Sequence, residues 1–475
     1  NSSDSTVWLA STSTRCGSRL EMVVRAGEME PELVEIDRLL EDDELYQMLR
    51  GDLAQRYPHT RETGRPATPV TVVLRMLAVK HLYNLSYEQT ERQVRDSLIL
   101  RQFCRVYFHA VPDDTTLLRW ANQIQPTTLV AFNERLAQLA YQVRVTRGRK
   151  LRTDGTVVES NIGYPSDSKL LADGVRVISR TLQRIKAKLD DDTDQTSQTP
   201  LATKLFCGHT RSARHQARQI QGWARQRSQQ AKASMQNAYH RLVDIAKASV
   251  AQAQGVIAYF PGQVPIHLQP LLAQLCAVLP NCEQVIDQTV RRVFAGESVP
   301  APEKLVSLFE PHSAIIRRQK PGKETEFGHK VWLDEVEGGI VTRWAILTGN
   351  PPDETQWRPA IDHHLRLFGR PPNQASADRG LYSAANEAYA SQQGVKRVIL
   401  PKPGHKTPSR RQFEAKAWFR RGRRYHAGIE GRISVLKRKF GLQRARYHGA
   451  VGFARWVGWG VIAHNLTAIG TKLAS

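Results

Sequence analysis

The stretch on which the fold turns is KLRTDGTVVES, residues 150–160. Thr156, Val157 and Val158 are β-branched residues that suit a pleated strand, and Asp154 stands inside the run. Working outward, NQASADRGLYS at 373–383 is a short strand-like run that ends at Asp378, before a glycine turn. Farther on, RRGRRYHAGIEGRISVLKRKFG at 420–441 has helical spacing, and the reading places Glu430 at the opening of this basic helix. Each of the three elements, in the order strand, strand end and helix, thus carries one carboxylate.

Acids so placed suit metal-dependent phosphoryl transfer. Two divalent ions a few ångströms apart can activate an attacking oxygen and stabilise the leaving oxygen of an in-line displacement. Such ions prefer hard carboxylate oxygens, and their charge requires clustered acids to hold them. Asp154, Asp378 and Glu430 are therefore the candidate catalytic and metal-binding residues, with two Mg2+ ions, or Mn2+ in their place, as the expected cofactors. Taken singly, a strand Asp before Gly is an ordinary turn former and a Glu among arginines an ordinary ion-pair partner. It is their order and basic setting that favour the chemistry. Glu159, Asp334 and Glu335 are rivals, although strand alternation puts Glu159 on the opposite face from Asp154.

The 475 residues, 41% of them apolar, suffice for two or three packed cores and argue against a disordered chain. Net charge is +23, which points to a polyanionic partner, above all nucleic acid. The charge is concentrated: residues 401–446 hold 15 Lys and Arg against Glu414 and Glu430. Such density suits a phosphate backbone. Five scattered cysteines form no pair of CxxC clusters, so no zinc site is assigned, Cys207 near His209 and His215 included. No apolar run reaches 18 residues, so a protein without a membrane span, in the cytoplasm and associated with the nucleoid, is expected.

Residues 1–29 are polar and aperiodic, and are expected to be a disordered tail, with Met22 a candidate start. Residues 30–146 have helical periodicity and read as an all-α domain for DNA binding or dimerisation. Within it Ser86 and Gln89 form a capping box, and Asp113 or Asp114 caps the helix DTTLLRWANQI. A helix-turn-helix reader of the major groove and a bundle for dimer contacts both fit these short helices. Residues 161–324 read as a helical insertion, with Asp190–Pro200 as a solvated loop. Arg211, Arg214, Arg218, Arg225 and Lys232 would form one stripe, either a solvated face or a track for a DNA backbone. The hairpin GHKVWLDEV and GIVTRWAILTG, joined through Glu337, Gly338 and Gly339, supplies two strands and KRVILP the last. Together 147–160 and 325–447 would make a mixed five-stranded sheet flanked by helices, and 448–475 a core helix.

The strings at 64–97 (GRPATPVTVVLRMLAVKHLYNLSYEQTERQVRDS), 154–174 (DGTVVESNIGYPSDSKLLADG), 327–333 (FGHKVWL), 377–383 (ADRGLYS) and 428–442 (GIEGRISVLKRKFGL) carry a resemblance. From about Met22 onward the chain resembles the DDE-type transposases of bacterial insertion sequences. The resemblance implies a multidomain α/β fold with a ribonuclease-H-like catalytic domain, and it implies Asp154, Asp378 and Glu430 as the triad on two magnesium ions. It further implies double-stranded DNA, both element ends and target, as partner, bound by a homodimer or higher homo-oligomer. Relatives often carry Tyr, Arg, Glu and Lys on the last helix. Here Lys437 matches, while Arg423 and His426 replace the Tyr and Arg. Arg423, His426 and Lys437, with neighbouring Arg424, Arg438 and Lys439, are the expected DNA contacts, joined by Arg211, Arg214, Arg218 and Arg225. Two other classes use the same features: a ribonuclease-H-like nuclease or resolvase that cuts without joining, and a non-catalytic DNA-binding descendant.

Overall fold

Strand β1 (Lys150–Glu159) is central to a mixed sheet in a computed structural model that describes residues 29–55, 68–192, 206–260, 262, 264–317 and 325–475. Residues 1–28 of the proposed tail, Met22 among them, and residues 193–200 of the acidic stretch lie outside the described residues; Met29, the tail's last residue, is instead buried in the core. The other strands are β2 (Ala314–Arg317), β3 (Thr325–Val336), β4 (Ile340–Leu347), β5 (Gln374–Ala377) and β6 (Arg397–Ile399). β1 pairs antiparallel with β3 on one side and parallel with β5 on the other, and β5 pairs parallel with β6. β2 and β4 share the far edge of β3. The sheet therefore has six strands, not five. β2 lies in the stretch read as a helical insertion, because four residues are too short to show a period and only the edge of β3 makes them a strand. Gly338 and Gly339, at φ 85° and 81°, take the left-handed backbone that the β3–β4 turn requires.

Among the described residues seven helices precede the sheet: α1 (Pro31–Leu39), α2 (Asp43–Ala54), α3 (Val70–Leu82), α4 (Tyr87–Asp96), α5 (Leu98–Phe103), α6 (Asp114–Ala121) and α7 (Pro126–Gln142). The Ser86–Gln89 capping box forms at the start of α4, and Asp113, not Asp114, caps α6. The run from Leu85 to Phe103 is two helices, because the Ser97 hydroxyl accepts Leu100 N–H and restarts the chain as α5.

The insertion comprises α8 (Asp167–Asp192), α9 (Thr210–Trp223), α10 (Gln229–Ala258) and α11 (Gln269–Thr289), around a hydrophobic core of its own. Two expectations change here. α8 continues through Asp192 into the stretch read as a loop. The basic stripe is broken, since α9 ends at Trp223, Arg225 lies in the turn beyond it, and Ser228 caps α10, which carries Lys232. The ends of the insertion meet. Gln288 donates to Asp167 (3.0 Å) and Leu305 O (3.3 Å), and Arg292 also binds Asp167 (2.7 Å).

The remaining helices are α12 (Trp357–Phe368), α13 (Ala384–Gln392), α14 (Pro408–Ala415), α15 (Ala417–Lys439) and α16 (Gly449–Ala474). α16 is buried along most of its length and joins the N-terminal helices to the sheet in one continuous core. A buried polar knot fixes that junction: Asn465 donates to Asn133 Oδ1 (2.8 Å) and Val341 O (2.7 Å), and Asn133 donates to Thr342 O (3.1 Å). Among the described residues no helix is long and apolar enough to cross a membrane.

The core also holds neutral histidines. Burial pushes His329 and His364 down to about 4 and His464 to about 3. The unfolded chain takes up these protons near pH 6.5 and the folded chain resists them, so their stabilisation is complete above pH 6.5 and lost as pH falls towards 4. Unfolding free energies from urea titrations at pH 7.5, 6 and 4.5 should fall in that order, by on the order of 1–3 kcal/mol for each histidine by the last pH.

Candidate active site

The register of β1 against β5 sets two of the three acids side by side. Thr153 pairs with Ala377 in parallel, so Asp154 and Asp378 are the next residues on neighbouring strands, whose spacing is about 4.8 Å. Asp378 follows the last residue of β5. Its carboxylate accepts the Arg379 N–H, and that of Asp154 accepts the Gly155 N–H at 2.7 Å. One acid stands within a strand and the other at a strand end, as the sequence suggests.

Glu430 arrives on α15, which packs on β1, β5 and β6. It lies mid-helix rather than at the opening, because the helix already begins at Ala417. Two glycines allow the close approach. A Cβ on Gly422 would lie 2.5 Å from Ile399 of β6, and one on Gly428 would lie 2.3 Å from the Arg152 guanidinium. That guanidinium binds both oxygens of Glu335 (2.8 and 2.6 Å) and donates to Tyr425 O of the helix. Arg152 and Asp154 share a strand face by alternation, so Asp154 faces α15. Arg432, one turn along α15, returns to Glu335 (3.2 Å). The rival acids are thus committed elsewhere: Glu335 to two arginines, Asp334 to Thr153 and Arg343, and Glu159 to Arg444.

Burial and the negative charges of Asp378, Asp353 and Glu430 raise the Asp154 carboxyl to about 6, against the Gly155 N–H, which favours its ionised form. Asp353 stands in a 3₁₀ turn after β4, where DETQ at 353–356 carries only helix-start character in sequence. It forms an ion pair with Lys330 of β3. Hard carboxylate oxygens that disfavour one another's charge are a donor set that fits a divalent cation. As they stand, no three His, Cys, Asp or Glu groups among the described residues are gathered closely enough to hold a metal ion. Glu430 and Asp378 are exposed at the sheet end.

Of the expected DNA contacts, Arg423 and Arg424 are exposed on α15 near the acids, and Arg438 and Lys439 are exposed near its C-terminus. Lys437 is half-buried. His426 is half-buried, and its Nδ1 is enclosed without a hydrogen-bond partner. Burial lowers the ring to about 4, against the pull of nearby Asp378, so it is neutral at pH 7. Arg211, Arg214 and Arg218 are exposed on α9, on the separate core of the insertion, with Arg225 just beyond.

A family model described as a transposase domain (DUF772) matches residues 23–123, and one described as a transposase DDE domain matches residues 385–469. The second contains Glu430, while Asp154 and Asp378 precede it. The chain is 27% identical over 126 residues to an uncharacterized protein, ORF8 in the nfe locus, of Rhizobium meliloti, a match covering 25% of this chain and 61% of that protein. No solved structure matches the chain at a significant level. Transposase models thus match both the N-terminal and the C-terminal helices, and together they support a DDE-type insertion-sequence transposase.

Proposed function

We propose that this protein binds the terminal inverted repeats of an insertion sequence, cuts a DNA strand at the element end and joins the freed 3′-hydroxyl to target DNA. The observation that carries the reading is the β1–β5 register, which sets Asp154 beside Asp378 under the helix bearing Glu430. The strand order β4–β3–β1–β5–β6, with β1 central and α15 across it, supports a ribonuclease-H-like catalytic domain formed by 147–160 and 325–447. In this reading 30–146 and 161–324 serve DNA and subunit contacts.

Two divalent cations held by Asp154, Asp378 and Glu430 would supply activation of the attacking oxygen and stabilisation of the leaving one. Asp154 and Asp378 present their oxygens from rigid backbone, and Glu430 closes the set from the helix. Arg423, Arg424 and Lys437, with Arg438 and Lys439, bind phosphates beside the acids. Neutral His426 contributes a hydrogen bond rather than a charge. Arg211, Arg214, Arg218 and Arg225 follow the backbone farther along. Replacing Arg211, Arg214 and Arg218 with Ala should lessen the salt dependence of DNA binding, log K against log salt, by up to about 0.9 for each phosphate left without its cation.

Purified protein, labelled DNA carrying the element's ends and a target plasmid, with magnesium or EDTA, test the proposal against Glu430→Gln. The expected result is a magnesium-dependent joined product that the variant fails to make. Cutting without joining would assign a nuclease or resolvase, and salt-sensitive binding without chemistry a DNA-binding descendant.

A further inference from the structure

Strands β1, β5 and β6 are mutually parallel, so their carboxyl ends open on one side of the sheet, the side where open α/β sheets bind their ligands. β6 aligns with β5 through Ser376 and Ile399, and two residues further along each strand stand Asp378 and Pro401. The loop after β6, PKPGHKT at 401–407, thus leaves the sheet beside the turn that follows Asp378. Its shape is fixed from within. Buried Glu414 of α14 accepts from Lys402 N–H (2.9 Å), Lys406 Nζ (2.5 Å) and Arg410 Nε (2.8 Å), so one carboxylate holds both arms of the loop. Pro401, Pro403 and Pro408 restrict the backbone, and Gly404 takes the left-handed turn at φ 64°.

Arg410 ties this loop to the Asp378 turn. Its guanidinium donates to Leu400 O (2.6 Å), just past β6, and to both oxygens of Glu387 on α13 (2.9 and 2.8 Å). It lies over the ring of Tyr382, four residues after Asp378, 4.9 Å from the centroid. The charge pattern shows what such a frame presents. Residues 401–413 contain Lys402, Lys406, Arg410 and Arg411 and no Asp or Glu, and Glu414 turns inward. Pro403, Gly404 and His405 are exposed at the tip, where a Cβ on Gly404 would meet nothing within 4 Å. A rigid, acid-free loop with an open tip, level with a strand acid, suits a phosphate backbone.

We propose that the 401–407 loop is a clamp that grips the DNA backbone next to the phosphodiester to be cut, through Lys402 and His405, and that Arg410 is the positioning residue that locks this clamp to the turn of Asp378. The inference rests on the reading of Asp154, Asp378 and Glu430 as the acids of a DNA-cutting centre. Arginine suits the lock because its planar fork reaches Glu414, Glu387 and Leu400 O at once, whereas a lysine offers the charge without the fork.

The test is hydroxyl-radical footprinting of the full-length protein on DNA carrying the element's ends, with single-turnover cleavage followed in magnesium at saturating protein. The double variant Lys402→Ala, His405→Ala should lose protection at the phosphates flanking the cleaved bond and keep it over the inner repeat. Its salt slope of binding, log K against log salt, should fall by about 0.9 for the Lys402 contact. Arg410→Lys should show the same local loss and cleave about tenfold to a hundredfold more slowly, the scale of a misplaced substrate. A lock that serves only the fold predicts instead a lower melting temperature by circular dichroism, with footprint and rate unchanged where the variant is native. That result for Arg410→Lys, or full end protection in the double variant, overturns the inference. The double variant leaves the Glu414 and Arg410 contacts in place, so it tests the clamp even where Arg410→Lys unfolds. Wild-type protein that fails to cleave removes instead the reading on which the inference rests.

Discussion

Asp378→Asn and Asp154→Asn are each expected to lower metal-dependent strand cleavage at least about a thousandfold, the scale of one major electrostatic contributor, with DNA binding within about twofold. Neither change removes volume, and neither acid belongs to the ion-pair network that clamps α15, so the loss should be confined to chemistry. Stability supplies an independent check. The Asp154 carboxyl, at about 6, is held above its ordinary range first by burial and then by neighbouring carboxylates. In the folded protein its ionised form is therefore disfavoured above pH 6, and that penalty fades as pH falls below 6. Asp154→Asn should accordingly make the metal-free protein more stable at pH 7.5, by about 1–3 kcal/mol in urea titrations, while abolishing stabilisation by Mg2+. An inactive variant that is less stable in EDTA would mean that Asp154 serves the fold instead.

Glu335→Ala is expected to destabilise the protein by about 3–5 kcal/mol, the range for a broken buried ion pair. Glu335 is fully buried and accepts from Arg152 and Arg432, one on β1 and one on α15. Removing it strands Arg152, itself 9% exposed, with Tyr425 O as its remaining hydrogen-bond partner. It also cuts the link between the strand of Asp154 and the helix of Glu430, so cleavage should fall even where the variant remains folded. Urea unfolding, paired with cleavage rates at a temperature where the variant is native by circular dichroism, checks both effects. Arg444→Ala provides a milder case: Arg444 is half exposed, so water replaces part of its contact with buried Glu159, and about 1–3 kcal/mol is expected.

Local chemistry determined much of this protein from the sequence by itself. The β-branched run around Asp154, the paired glycines of the β3–β4 turn, the Ser86–Gln89 capping box and the basic periodicity of α15 each depend on neighbours within a few residues, and each forms as read. Where a short polar residue competed with a longer periodic pattern, the local signal was ambiguous. Ser97 divides the run from Leu85 to Phe103 into two helices and Ser228 starts another, breaking the basic stripe, because a hydroxyl that accepts a backbone N–H ends one helix's register and begins the next. Other features belong to the tertiary structure alone. Ala314–Arg317 is a strand only because β3 offers an edge, and the N-terminal helices share the sheet's core because α16 returns between them. The pairing of Asp353 with Lys330 joins residues on different elements. Their proximity comes from strand register and packing, which sum weak contacts across hundreds of residues, and no single stretch of sequence contains that sum.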